Sequence, residues 1–322
     1  MCCCGSQWKT SGGVSHTGKN ETNIKERVSK GMGILNNIFS ILNNIAFGSH
    51  YFQIALLLRR ALLISSALTN CEVWYNISKK DIKDISLLDR IFFHRLFSIP
   101  KTSPEECFAL ECGELDFETE IKARRLIYFQ NLMTRKKEQV LSSFLQAQIL
   151  SPSPGDWIFQ VYKDMEDFEM PREHQYYEQM TSIKFKEIVK KKSREYVFKK
   201  LMKMKNNHTK MKRVKYEKLG MQSYLTSKDL TREEKITVLH WRVHMEQFGE
   251  NYRGKKEEVI CPLCGEHKDD EESSFSVCKV TKKEMNIEGN YASLFEKDVD
   301  TISAKTACKI SALRKRYLED KE

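Results

Sequence analysis

Apolar residues in this chain recur three and four positions apart, segment after segment, and that spacing limits the fold more than any other feature. An α-helix turns once in 3.6 residues, so the spacing lays apolar side chains along one face, whereas a half-buried strand needs strict alternation. The pattern predicts helices near 22–46, 49–75, 79–98, 104–112, 117–149, 156–168, 173–205, 231–247 and 291–318. No convincing strand pattern occurs, except briefly beside the cysteines of the C-terminal third. Start signals agree with this reading. "SPEE" offers Ser103 as N-cap, Pro104 at the first helical position and Glu106 at the third; "TREE" offers a capping box in Thr231 and Glu234. Gly48, Pro100, Gly113 and "SPSPGD" (151–156) punctuate the chain. The expected fold class is mostly α.

Charge divides this helical chain. Its net charge is +10, a surplus that suits a polyanionic partner. Between Ser182 and Lys218, fifteen Lys/Arg face three Glu, a local surplus of 12, so the remainder is close to neutral. Such a run is either a solvated basic face or a stripe that displaces counterions from nucleic-acid phosphates. On the second reading the contacts are Lys190, Lys191, Lys192, Arg194, Lys199, Lys200, Lys203, Lys212 and Arg213, with Arg253 nearer the C-terminus. Phe185, Ile188, Val189 and Tyr196 share one helical face and predict docking of the first half on a core. Beyond Val197 the apolar positions scatter, which predicts looser order there.

A run of cysteines points to metal. "CPLCGEHKDDEESSFSVC" (261–278) contains Cys261, Cys264, His267 and Cys278. Structural zinc takes four nitrogen or sulfur ligands in a tetrahedron. Three thiolates with His267 as the fourth ligand would complete it; a weak three-ligand site and a decayed one are the alternatives. Metal binding would contribute to the folding of so short a loop. The other cysteines follow no disulfide framework, and with no apolar signal peptide ahead of them a reducing compartment, nucleus or cytoplasm, is expected. The sequons at Asn20, Asn76 and Asn207 are then accidental. The opening "MCCCGS" makes Cys2, Cys3 and Cys4 candidates for S-acylation, but not for N-myristoylation, which needs glycine after Met1. The most apolar run, Ile54 to Leu68, carries Arg59 and Arg60 and falls short of the ~20 residues of a spanning helix. It reads as a buried helix with two charges reaching outward.

Catalytic patterns are thin. "KGMG" (30–33) is too poor in glycine context to cradle a phosphate, and no dinucleotide fingerprint occurs. His240 and His244 lack the glutamate that a zinc protease places after its first histidine, and read as packing or surface residues. Glu118 with Glu120, and Asp164 with Asp167, read as solvated helix-surface carboxylates. Asp269 and Asp270 form no aspartate hairpin. These readings predict no enzyme and no small-molecule substrate.

The order of motifs resembles the C-terminal, post-palm part of non-LTR retrotransposon reverse transcriptases. The matching stretches are 23–38, "GSHYFQIALLLRRALLISSALTNCEVWYN" (48–76), "ECGELDFETEIKARRLIYFQNLM" (111–133), 153–168, "LHWRVHMEQFGENYRG" (239–254), the cysteine loop and the closing segment from Tyr291 to Glu319. The resemblance implies four parts: a disordered, cysteine-containing start (1–21), a thumb-like helical body with connecting helices (22–170), a basic helical arm (171–230) and a C-terminal module (231–322). That module would hold the knuckle at 261–278 and a terminal helix. It also implies that the two palm aspartates of an RNA-directed DNA polymerase lie outside this sequence, leaving RNA or DNA binding without polymerisation. Lys25, Arg27, Lys30, Arg59, Arg60, Arg124 and Arg125 would touch phosphates; alternatively, Arg124 and Arg125 pair with Glu118 or Glu120. The family places a histidine four residues before the last cysteine, where this chain has Ser274, and an apolar–proline pair where it has Asp116–Phe117. A helical scaffold, membrane-tethered only if acylated, and a non-functional relic are the other functional expectations.

Overall fold

The structure is a computed structural model describing residues 21–44, 48–74, 76–99, 103, 105–135, 140–173, 176–177, 179–207, 211, 213–252, 259–284 and 289–320. The described chain is mostly helical and contains no strand, only the isolated antiparallel bridges Cys112–Met221 and Ile260–Lys268. The second bridge is the brief pairing expected beside the cysteines. The predicted class is therefore observed.

The chain forms two compact units, each discontinuous in sequence, so they do not follow the linear division expected above. The first takes residues up to Asn44, Ala55–Phe93 and Leu115–Lys200; the second takes Ile45–Ile54, His94–Glu114 and Leu201–Glu322.

In the first unit, α1 (Glu21–Asn44) buries Leu35, Ile38 and Phe39. Next along the chain come α2 (Tyr51–Leu58), which joins this unit from Ala55 onward, a π-helical turn (Arg59–Ile64) and α3 (Ser65–Ala67), so the helix predicted near 49–75 is interrupted by a widened turn. Asn70 then takes a left-handed conformation (φ 56°) that ends it. In α4 (Lys79–Phe97), Phe92 meets Phe39 at 5.7 Å between ring centroids. A Cβ on Gly31 would stand 2.4 Å from Leu88 Cδ1, so the glycine in "KGMG" serves close packing of α1 against α4.

After α5 (Glu105–Cys112) comes α6 (Phe117–Met133), capped by Asp116, whose side chain accepts the Thr119 amide at 2.7 Å. The Asp116–Phe117 departure is thus an ordinary N-cap. The single helix predicted over 117–149 is two. α6 stops at Met133, where the Thr134 hydroxyl bonds back to the Gln130 carbonyl at 3.1 Å, and α7 runs Val140–Leu150. Leu126, Phe129, Val161, Met165 and Phe168 form one core with Phe185 and Val189, joining α6, α8 (Trp157–Asp167) and the long basic helix α9 (Ser182–Asn207). That helix starts nine residues later than the predicted position 173. The helix continues past Val197 to Asn207, with Phe185, Val189, Ser193, Val197, Leu201 and Lys205 buried at four-residue intervals.

In the second unit Phe97 stacks between Phe52 and Phe108, with centroids 5.3 and 5.9 Å away. The short helix α10 (Ser223–Thr226) precedes α11 (Arg232–Arg242), which starts on the predicted Thr231/Glu234 capping box. α11 ends at Arg242, short of the predicted 247, because His244 adopts φ 49°. His244 therefore lies off the helix that carries His240. The other proposed start signal is only partly described: Ser103 donates to Met245 Sδ at 3.2 Å, while Pro104 and the Glu106 side chain lie outside the described residues. Four short helices, α12 (Gly249–Tyr252), α13 (Glu271–Ser276), α14 (Lys279–Glu284) and a 3-10 turn (Tyr291–Phe295), lead to α15 (Thr301–Glu319). No helix among the described residues is long and apolar enough to cross a membrane.

Candidate metal centre and basic surface

The metal candidate is built from a tight loop. The Cys261 amide donates to the His267 carbonyl at 2.6 Å and the Gly265 amide to the Cys261 carbonyl at 2.9 Å, while Gly265 takes φ 68°, a conformation glycine adopts without a Cβ penalty. This turn aims backbone N–H groups at sulfur: Leu263 and Cys264 at Cys261 Sγ, Glu266 and His267 at Cys264 Sγ. Cys278 arrives from the far side, after α13. Asp270 caps that helix by accepting the Ser273 amide at 2.7 Å. The Sγ atoms of Cys261, Cys264 and Cys278 then lie within 4.8 Å of one another. A tetrahedral zinc with ~2.3 Å bonds holds its sulfurs about 3.8 Å apart, so the three thiols fit such an ion. Leu263 and Leu313 pack against the buried pair Cys261 and Cys278; Val280 and Tyr317 complete the wall.

Electrostatics separates the thiols. Burial pushes Cys261 up to about 11. At Cys264 burial acts in the same direction but is outweighed by the amides of Glu266 and His267 and by the neighbouring thiols, which hold it below the usual thiol range. His267 does not join the three-sulfur group, although its backbone is part of the loop. Ser274 is buried, its hydroxyl has no hydrogen-bond partner among the described residues, and its carbonyl accepts from Thr281 at 2.9 Å.

Sequence reasoning passed over the residues that anchor this loop. Asp269 accepts from Gly249 at 2.7 Å and pairs with Arg314 at 2.7 Å, both side chains being buried. Arg314 in turn lies 4.1 Å from the Phe248 ring. The "DD" pair thus consists of a buried anchor and a helix cap. Its one legible signal was Asp270 three residues before a backbone amide at a helix start.

The arginines proposed for phosphate contact divide sharply. Arg59 is fully buried, forked onto Asp89 at 2.6 and 2.8 Å and bonded to the Leu115 carbonyl at 3.0 Å. Arg125 is buried against Asp164 at 2.5 Å, neither on a phosphate surface nor paired with Glu118 or Glu120. Arg27 is buried too, bonded to Asn23 and the Ala67 carbonyl and 4.8 Å from the Trp74 ring. These three are corrections to the sequence expectation: each guanidinium satisfies interior acceptors, and Asp164 is no solvated carboxylate. Arg124 is half-buried, reaching the Leu68 carbonyl at 3.2 Å and Glu120 at 3.9 Å. Lys25, Lys30 and Arg60 are exposed.

On α9 the charge is partly neutralised within the protein. Lys200 meets Asp116 and Glu118 at 3.1 and 3.0 Å, Lys199 meets Glu169 at 2.6 Å, and Lys192 and Lys191 lie 3.6 and 4.0 Å from Glu195. Arg194 is half-buried. Lys205 is buried, and desolvation lowers its ammonium below the usual lysine range. Arg213 contacts Glu272 at 3.4 Å and Tyr291 at 2.8 Å. Lys184, Lys186, Lys190 and Lys203 are exposed and carry no ion pair among the described residues. Lys212, Arg253, Cys2, Cys3 and Cys4 lie outside those residues.

His240 and His244 each face a carboxylate. His240 Nε2 faces the Phe97 carbonyl at 3.2 Å and Nδ1 lies 3.8 Å from Glu246; burial lowers the imidazole. His244 pairs with buried Glu271, which also accepts from Tyr291. Both histidines are packing residues, as their sequence context implied.

No protein-family model, curated protein or solved structure matches the chain.

Proposed function

We propose that this chain binds RNA or DNA through phosphate contacts, without catalysis, and that its three-cysteine loop holds zinc. The observation that carries the first part is the set of exposed lysines on α9 that have no ion pair among the described residues: Lys184, Lys186, Lys190 and Lys203. A net charge of +10 supports it, and so does the resemblance of the motif order to the post-palm region of retrotransposon reverse transcriptases. Lysines already paired with carboxylates contribute less, because a phosphate must first displace the existing partner. The test is a fluorescence-anisotropy titration of labelled single-stranded RNA and duplex DNA at two salt concentrations. Affinity should fall steeply as salt rises, since phosphate contacts release counterions. Absent or salt-insensitive binding rejects the proposal.

The zinc reading rests on three sulfurs brought together by a loop whose amides favour thiolate. Purified wild-type protein should contain one equivalent of zinc and Cys264→Ser should contain far less; equal metal content in the two rejects it.

One further observation favours a scaffold role alongside binding. Uncharged α7 leaves Leu141, Phe144 and Leu150 exposed, the first two beside an apolar cleft of about 350 Å³ that also includes Tyr128 and Trp157. Monodispersity that improves in Leu141→Ser/Phe144→Ser without loss of helicity would support that role; unchanged behaviour would remove it.

A further inference from the structure

The three-sulfur centre has an unequal surround. Cys261 and Cys278 are buried behind Leu263 and Leu313, whereas Cys264 is partly exposed, so the approach to the centre from solvent lies on the Cys264 side. No histidine, cysteine or carboxylate among the described residues joins the three thiols within their 4.8 Å grouping. His267 is the nearest candidate in sequence, yet its backbone is held at both ends by the loop. Its amide is directed to Cys264 Sγ and its carbonyl accepts from the Cys261 amide at 2.6 Å. Ser274 offers only a hydroxyl, a poor zinc ligand, and that hydroxyl is buried without a partner among the described residues.

We propose that this centre is coordinatively open: it holds a divalent thiophilic ion on Cys261, Cys264 and Cys278 and takes its fourth ligand, a small thiolate or imidazole, from solution. This rests on the metal-binding reading and adds a ligand site to it. A tetrahedral ion with three protein ligands keeps one position for water or an incoming donor, the arrangement that separates exchangeable zinc sites from closed structural ones. Soft thiolates suit such an ion, and so does imidazole. In the exchange a neutral thiol loses its proton to buffer and its sulfur replaces the bound water; no electrons are transferred. Imidazole enters neutral and needs no proton release.

Cobalt(II) reports this directly, because its visible absorption follows ligand number and type. The full chain is loaded with cobalt(II) in a phosphine reductant that supplies no thiol, then titrated separately with 2-mercaptoethanol and with imidazole. The wild-type band should shift in a saturable way with each, while the sulfur-to-cobalt charge-transfer band from the three cysteines persists. His267→Ala should give the same starting spectrum and the same response. A spectrum that responds to neither ligand overturns the open position, and if His267→Ala then alters it, His267 is the closing ligand. Failure of the wild-type chain to bind cobalt or zinc at all overturns the metal reading itself, a result distinct from a bound but unresponsive ion. The decisive titrations use the unmutated protein, so they do not depend on a variant that folds.

Discussion

A guanidinium reads the same in sequence whether it faces water or an interior carboxylate, and here that ambiguity decides which arginines matter for which purpose. Arg125 and Asp164 are 39 positions apart, and Arg59 and Asp89 are 30 apart, so neither partner is visible from local spacing. Burying a charge is tolerable only when it is paired and hydrogen-bonded, and removing one partner of such a pair typically costs about 3–5 kcal/mol. Arg125→Met should therefore lower the urea midpoint strongly, and the double substitution Arg125→Met/Asp164→Leu should recover much of the loss. The carboxylates near α9 carry a pH signature as well. Partial burial works to raise Glu118, yet hydrogen bonds and charge from Lys122 and Lys200 hold it at about 2. A folded value below the ordinary ~4.3 means that its stabilisation is present above pH 4.3 and disappears as pH falls toward 2. Glu118→Gln should flatten the stability profile in that acid window, as followed by circular dichroism; an unchanged acid limb would mean the pair contributes nothing.

Capping chemistry fixed where a helix starts, whereas periodicity alone placed some helices well, such as α4, and ran others together. The Thr231/Glu234 box was readable because capping chemistry is local, and the structure keeps both of its hydrogen bonds, 3.2 and 2.7 Å long. Thr231→Ala should cost about 1 kcal/mol in chemical denaturation. Periodicity alone ran 117–149 together, since nothing in an apolar pattern marks the back-bonding of Thr134 that accompanies the end of α6. On α9 the buried stripe drifts around the helix as it steps by four residues, so Leu201 and Lys205 looked scattered although they continue it. Phe185→Ala should destabilise the chain by about 3–5 kcal/mol, because a buried ring leaves a cavity. Lys186→Ala, one residue on and exposed, should stay within about 0.5 kcal/mol.

At the scale of the whole molecule the sequence conveyed the helical class and the charge surplus, but not how much of that charge the protein consumes itself. Lys199, Lys200 and Arg213 are each matched by a carboxylate far away in sequence, which leaves Lys184, Lys186, Lys190 and Lys203 on α9 without an ion pair among the described residues. The cysteine spacing announced a loop that could hold a metal ion, because its turn is local. The anchor of that loop was hidden, since Arg314 reaches Asp269 from 45 residues away. If those four lysines grip phosphates as proposed, the salt slope of nucleic-acid affinity measures that grip. Anisotropy titrations across 50–200 mM salt should compare wild type with the variant carrying glutamine at all four positions. The slope of log affinity against log salt should fall in magnitude by about 3 in the variant, with fold and metal content unchanged. An identical slope in the two proteins would contradict the proposal.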